Sequence, residues 1–301
     1  MGNPLTVYFH FGLLGWPLGH SLSPAIHQSA LEATGLHGEY VLYPAQPIPA
    51  GARAVNSLIQ RFQRGDLQGL NVTIPHKQSV VPLLDSLTGV AQTAGAVNLI
   101  YRENGHLVGD NSDAPAFMTD LERITGFGDR AGTVLVLGAG GAARAAVFAL
   151  LQAGWQVFVA SRRVDAARQL AIDLAAQAGR DSQMIAALPL EAASLRNLPA
   201  CDLVVNATPV GMFPHIHETP WPAEAPYPRH AAFYDMVYNP TETVLTKAAR
   251  SAGLAAANGL GMLVEQAALS FERWTGQPAP RQVMREAALV SLSQAEATGP
   301  V

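Results

Sequence analysis

Residues 133–163, TVLVLGAGGAARAAVFALLQAGWQVFVASRR, restrict the possible folds more than any other stretch. An apolar run of strand length enters a glycine turn, an alanine-rich helical segment follows, and a second apolar run closes the unit. Strand, helix and strand in this order form a βαβ crossover, which builds parallel sheet. Gly138, Gly140 and Ala143 fit the spacing G-x-G-x-x-G/A in the strand-to-helix context that gives it meaning. Gly138 permits the tight turn, and Gly140 lets the backbone approach a pyrophosphate. The first N–H groups of the helix then face the negative charge. The second run ends in Arg162-Arg163, with Arg162 lying 24 residues beyond Gly138. That is where a dinucleotide fold places the group that meets the adenosine ribose. An acid there binds the free 2′-hydroxyl of NAD, whereas two guanidiniums suit the 2′-phosphate of NADP. Asp165, two residues on, is the group that would serve NAD.

The rest of the 301 residues is long enough for a second domain. Strand-like and helix-like segments alternate almost throughout, which predicts a two-domain α/β protein with mostly parallel sheets. The N-terminal part reads strand (FHFGLLG), helix (SPAIHQSALEATGL), strand (EYVLYPA), helix (AGARAVNSLIQRFQRGD) and strand (LQGLNVTIP). Ser23 is expected as the cap of the first helix, with Pro24 at the first helical position. Two further strands meet at a turn over Glu103-Asn104-Gly105. The boundary falls after Asp113. It separates a first domain over 1–113 from the dinucleotide segment that follows, and the chain ends in helical stretches with apolar residues at helical spacing.

Composition removes several function classes. A net charge of −4 provides no basic field for nucleic acid or an anionic membrane, so an anionic ligand must be met by a few placed groups. No run reaches membrane-span length. A single cysteine, Cys201 before an apolar strand, excludes an internal disulfide framework and fits packing in a reducing cytoplasm. His215 and His217 have ligand-like spacing, but they lie in a proline-rich loop without converging acids, and no metal is expected. Only two of the 19 basic residues are lysine, Lys77 and Lys247. Lysine can transfer a proton where a guanidinium cannot, which singles out Lys77 at the end of NVTIPHK. His76 beside it reads as solvent-facing.

Four polar clusters lie outside the dinucleotide segment: Ser21 and Ser23 in GHSLSP, Thr73 with Lys77, Asn98 in GAVN, and Asp113 in GDNSD. Each falls at a strand end or in the turn after it, where open α/β sheets bind ligands. Hydroxyls, an amide and a carboxylate are what a polyhydroxylated acid needs for orientation.

GHSLSP, NVTIPHK, AGAVN, GDNSD, LGAGGA, NATPVGM, YDMVYNP and GLGMLVEQAALSF together, in order and over nearly the whole chain, resemble the shikimate dehydrogenase family. The resemblance implies an N-terminal substrate domain over 1–113, completed by C-terminal helices over 259–301, and a doubly wound, Rossmann-type NADP domain over 114–258. The implied activity is the reversible NADPH-dependent reduction of 3-dehydroshikimate to shikimate, by a cytoplasmic monomer or homodimer. By the same resemblance Lys77 is the catalytic lysine and Asp113 its partner at the substrate hydroxyls. Ser21, Ser23, Thr73, Asn98, Tyr238 and Gln266 are implied substrate contacts. Gly138, Ala139, Gly140, Gly141, Ala142, Ser161, Arg162, Arg163, Met236 and Gly259 are implied cofactor contacts. The chain departs from the family pattern at Ala114, where glycine is common, and at its doubled arginine. A dehydrogenase for both quinate and shikimate, using NAD or NADP, is the nearest alternative; a non-catalytic NADP-binding sensor is an alternative from another class.

Overall fold

The computed structural model describes residues 7–126, 130–177 and 182–298. The chain forms two compact units. One takes the chain up to Ser112 together with Val264–Ala297, and the other takes Asp113–Leu263.

The first unit contains β1 (Tyr8–Gly15), α1 (Ser23–Thr34), β2 (His37–Pro44), α2 (Ala52–Arg64), β3 (Gly69–Val72), β4 (Ser86–Leu87), α3 (Gly89–Ala94), β5 (Leu99–Glu103) and β6 (His106–Asp110). Its sheet runs β2-β1-β3-β5-β6-β4. The sheet is mixed rather than mostly parallel, because β5 lies antiparallel to both β3 and β6. A two-residue hairpin links β5 to β6; Asn104 and Gly105 both have positive φ there, the geometry whose twist matches the strands. The strand expected to reach Pro75 stops at Val72.

Residue alternation along β1 splits the core into two layers. Leu14 points to a cluster with Leu70, Val72, Ile100 and the apolar face of α2 (Val55, Leu58, Ile59, Phe62). Phe11 points to the opposite side and stacks on Trp274 at 4.6 Å. Trp274 closes the second layer, its indole N–H donating to the Ile100 carbonyl at 3.1 Å. A side chain at Gly69 would overlap that indole, its Cβ falling 2.2 Å from Cδ2.

The second unit contains α4 (Asp113–Thr125), β7 (Thr133–Leu137), α5 (Gly141–Gln152), β8 (Gln156–Ser161), α6 (Val164–Gln177), β9 (Ile185–Pro189), α7 (Ala192–Arg196), β10 (Leu203–Asn206), β11 (Ala232–Asp235), α8 (Val244–Ser251) and β12 (Ala256–Asn258). Its sheet runs β12-β11-β10-β7-β8-β9, with every pair parallel. Renumbered from β7, this is the 3-2-1-4-5-6 order of dinucleotide-binding sheets, with the reversal of winding between β7 and β10. Two long helices follow: α9 (Leu260–Thr275), which starts in the second unit and continues in the first, and α10 (Arg281–Thr298). Arg281 ties them by bonding both Glu265 and Glu272 of α9. No described helix is long and apolar enough to cross a membrane. Cys201 is buried, as its packing role requires, and burial pushes its thiol up to about 11.

One buried polar residue in the core of the first unit has a pH signature. His27 on α1 is fully buried, stacks on Tyr40 at 4.3 Å, and has no hydrogen-bond partner at either ring nitrogen. Burial pushes its imidazole down to about 3, with Asn71 pulling weakly the other way. The native ring is therefore neutral, while the unfolded ring takes a proton below its ordinary 6.5. Stability is retained above that value and is lost as pH falls, because the unfolded state then binds more protons. Urea unfolding followed by tryptophan fluorescence should show wild type losing about 2 kcal/mol more than His27→Phe between pH 7 and pH 5. Equal losses in the two proteins would refute a buried neutral ring.

Candidate active site

In the first unit, the loops that carry the candidate residues follow the carboxyl ends of β1 and β3. These strands pair in parallel, and backbone bonds continue the pairing beyond the sheet. Thr73 N–H donates to Leu14 O at 2.8 Å, and Trp16 N–H donates to Ile74 O at 2.9 Å. The approach is so close that a Cβ on Gly15 would lie 2.3 Å from Thr73 Cγ2. The Ser21–Ser23 turn and the Thr73–Lys77 turn are thus laced together at their roots.

Ser23 is not the helix cap. Leu22 occupies that position without a side-chain bond, and Ser23 and Pro24 are the first helical residues. The reason is the serine two residues earlier: Ser21 Oγ accepts the Ser23 N–H at 3.3 Å. The Ser23 side chain turns inward, where its hydroxyl lies against the Tyr40 phenol. His76 is buried rather than solvent-facing. Its Nε2 bonds the Ala45 carbonyl at 2.8 Å, and its N–H donates to Thr73 O at 2.8 Å. The Ala45 carbonyl, just past β2, is buried and needs a donor, and the imidazole supplies it. Lys77, immediately after, has its carbonyl held by Val97 N–H at 2.7 Å. The lysine backbone is therefore fixed on both sides, while its side chain is half-buried.

Asn98 enters β5 beside the end of β3. Its Oδ1 accepts from Ser112 N–H at 2.7 Å, and its Nδ2 donates to Ser112 Oγ at 2.9 Å. Ser112 Oγ reaches Gln266 O at 3.3 Å. Sequence reasoning missed the residue that joins these groups, Asn71. Its Oδ1 accepts from the Tyr40 hydroxyl at 2.9 Å, and its Nδ2 donates to Asn98 O at 3.1 Å and to Ser270 Oγ at 2.9 Å. Ser270 in turn donates to Gln266 O at 2.9 Å. The available signal was an asparagine inside an otherwise apolar strand.

The second unit holds the remaining candidates. Asp113 is buried in the first turn of α4, where the helix N-terminus favours a carboxylate. Gly138 follows β7 with φ of 110°, a conformation that disfavours side chains, and a Cβ there would lie 2.9 Å from Thr208 Cγ2. Gly140 caps α5 in extended backbone, and a Cβ on it would meet nothing within 4 Å. Space for a ligand therefore opens over the helix start. Ser161 ends β8 and its Oγ accepts from Arg163 N–H at 3.2 Å, shaping the turn that carries two exposed arginines. No ion pair among the described residues engages Arg162 or Arg163. Asp165, the group that would serve NAD, bonds Arg168 at 2.9 Å. These residues fit a 2′-phosphorylated dinucleotide. Met236 follows β11, and Gly259 packs so closely on it that a Cβ would lie 2.3 Å from Met236 O. Tyr238 is half-buried, and burial pushes its phenol up to about 12, so it is neutral at working pH. No group of three or more His, Cys, Asp or Glu able to hold a metal occurs among the described residues.

A dinucleotide sheet in one unit and, in the other, a mixed α/β sheet carrying serine, threonine, asparagine and lysine at its edge define the class. Residues 13–100 match the family described as "Shikimate dehydrogenase substrate binding domain", and residues 259–289 match "Shikimate 5'-dehydrogenase C-terminal domain". The shikimate dehydrogenase (NADP(+)) of Salinibacter ruber is 40% identical over 91% of this chain and 95% of its own. Thermus thermophilus shikimate 5-dehydrogenase, solved with NADP(H) and shikimate, is 37% identical with a TM-score of 0.80, covering 94% of this chain and 100% of that one. Corynebacterium glutamicum quinate dehydrogenase, solved with NAD, is 31% identical with a TM-score of 0.83, covering 94% and 99%. The chain belongs to the shikimate dehydrogenase family.

The two loop glycines should separate stability from binding. Gly138→Ala is expected to lower stability by about 1–2 kcal/mol, from its positive φ and the Thr208 clash. Gly140→Ala should melt within about 2 °C of wild type yet weaken NADP+ binding by tenfold or more, because its methyl fills the space over the helix start. Calorimetry and NADP+ titration on both variants check this; tight NADP+ binding by Gly140→Ala would contradict it.

Proposed function

We propose that this protein is a shikimate dehydrogenase, catalysing the reversible reduction of 3-dehydroshikimate to shikimate with NADPH, a step toward chorismate and the aromatic amino acids. The observation that carries the reading is the set of Ser21, Ser23, Thr73, Asn98 and Lys77 on loops rooted at one sheet edge, in a chain 40% identical to such enzymes over nearly its full length. The first unit then serves as the substrate domain and the second as the NADP domain. We place the enzyme in the cytoplasm, as a monomer or homodimer.

NADPH, when bound, supplies the hydride. The remaining work is orientation and proton handling. Ser21 and Ser23 hold the substrate carboxylate, and Thr73, Asn98, Tyr238 and Gln266 orient the ring and its hydroxyls. Lys77 Nζ donates a proton to the oxygen of the reduced carbonyl and takes it back in the reverse direction. Asp113 has the role of the carboxylate partner of Lys77 at the substrate hydroxyls. Gly138 to Ala142 receive the pyrophosphate at the start of α5. Ser161, Arg162 and Arg163 receive the 2′-phosphate, and Met236 and Gly259 flank the nicotinamide half.

Lys77→Met should lower kcat by about a thousandfold or more while leaving KM for shikimate within about threefold. Lys77→Arg, which keeps the charge but cannot release a proton, should be nearly as inactive. Substantial kcat in the arginine variant would show that charge alone suffices. Ser23→Ala should instead raise KM for shikimate by about tenfold with a smaller effect on kcat. An unchanged KM would remove Ser23 from the carboxylate site.

The likeness to the quinate dehydrogenase favours one second reading, an enzyme for both quinate and shikimate. Comparing kcat/KM for the two acids with NADP+ and NAD+ decides between them. Arg162 and Arg163 predict at least about a tenfold preference for NADP+. Absence of any turnover would leave the NADP-binding sensor.

A further inference from the structure

Asp235, the last residue of β11, is fully buried and takes no part in the steps above. Three donors from separate places converge on its carboxylate. Asn206 Nδ2, at the end of β10, donates to Oδ1 at 2.8 Å. The Val237 N–H donates to the same oxygen at 3.0 Å. Thr243 Oγ1 donates to Oδ2 at 2.6 Å. Each partner is itself fixed. Asn206 Oδ1 accepts from Thr208 N–H and Oγ1, at 3.0 and 2.7 Å, which sets the amide so that its NH2 faces Asp235. Thr243 is the cap of α8, accepting from Thr246 N–H at 3.2 Å, so its proton points to Asp235.

The carboxylate thus closes a ring around residues 236–240, which carry Met236 and Tyr238. The loop is fastened on its outer side as well. Met236 N–H donates to Asn206 O at 2.9 Å, Gly259 N–H to Val237 O at 3.2 Å, and Phe213 N–H to Asn239 O at 3.0 Å. Asp235 is the only side chain among these fastenings that binds β10, the loop and α8 at once.

A buried carboxylate without a paired cation is costly unless hydrogen-bond donors meet its charge. Here all three partners are donors, and an ionised carboxylate is the side chain that only accepts. An asparagine would place its own NH2 against one of them. Burial pushes the Asp235 carboxyl up to about 6, with the three donors pulling it back, so dipoles alone meet its charge.

The doubly wound sheet binds one mononucleotide in each half. Gly138 to Ala142 and Arg162-Arg163 lie on the β7–β8 half, whereas Met236 and Gly259 follow β11 and β12 on the other. We propose that Asp235 is a positioning residue for the nicotinamide half of the cofactor, holding the Met236–Tyr238 loop against the Asn206–Thr208 turn. The proposal rests on the reading of this unit as the NADP domain.

The test compares ligands that engage one half or both. Isothermal titration of the full chain with NADP+ and with 2′,5′-ADP, which contains only the adenosine half, would be run on wild type and Asp235→Asn. NADP+ affinity of the variant should fall by about tenfold, while 2′,5′-ADP affinity stays within about twofold. KM for NADPH should rise in step with the loss of NADP+ affinity. Thr243→Val, which removes one donor and leaves two, should show the same split with a smaller NADP+ loss, and it substitutes if Asp235→Asn does not fold. Equal weakening of both ligands would make Asp235 a structural residue only and overturn the proposal, as would unchanged NADP+ binding. Wild type that turns over no shikimate and binds neither ligand would refute the assigned function itself, an outcome distinct from failure of the Asp235 role.

Discussion

Asn71 lies in a strand paired on both edges and buried at all four positions, so its amide must find every partner within the protein. Leaving a buried donor or acceptor unmet costs about 1–3 kcal/mol. The three bonds that Asn71 makes therefore fix the positions of the groups that make them. Tyr40 is set on one side and, through it, the inward-turned Ser23. Asn98 O is set on another, so the backbone of the next strand enters at a defined height. Ser270 on α9 is the third, and its hydroxyl passes the constraint to Gln266. Three proposed substrate contacts, Ser23, Asn98 and Gln266, thus share one reference point although they are far apart in sequence. Fully satisfied polar networks of this kind rigidify a core and specify one arrangement of it.

The second unit solves a related problem with a different group. Its loops must leave the carboxyl edge of an all-parallel sheet and still hold fixed shapes. At the turn after β7 the means is steric: Gly138 adopts a backbone conformation that side chains rarely take, and Thr208 fills the space where one would go. After β10 and β11 the means is a buried anion, since Asn206, Val237 and Thr243 all offer protons. A neutral amide satisfies Asn71's neighbours because one of them donates and two accept. A set of donors alone requires a carboxylate. The choice of asparagine in one unit and aspartate in the other follows from the balance of donors around each.

What could be read from the sequence follows from how local each constraint is. The turn over 138–143 was legible because a few residues at fixed spacing dictate it, and the parallel order of the second sheet followed from alternation. The first sheet's mixed pairing was less so, because the hairpin at Asn104-Gly105 was visible while the antiparallel pairing of β5 with β3 was not. Ser23 was misread as a cap because the helix begins one residue earlier than the Ser-Pro pair suggests: Leu22 is the cap, and the Ser23 N–H is taken by Ser21 Oγ. His76 was misplaced because its partner, the Ala45 carbonyl, is 31 residues away. The Asn71–Ser270 bond spans 199 residues and has no signature in either local stretch. The short α3 went unread, since a six-residue helix opening on glycine has little periodicity to show.

The use of cations closes the account of the chain. Structural and surface pairs are made by arginine: Arg144 with Asp173, Arg250 with Glu242, and Arg281 with two glutamates. Arginine suits those places because its planar fork binds carboxylates with fixed geometry and never loses its charge. The same properties suit the proposed role of Arg162-Arg163, holding a phosphate with nothing to be transferred. Of the two lysines, Lys247 is exposed on α8, and Lys77 has its backbone fixed by Val97 and by the turn through His76. A chain that prefers arginine wherever charge alone is wanted has placed lysine on a loop fastened at its backbone. The property lysine adds there is a removable proton, which the proposed ketone reduction needs and a static ion pair does not.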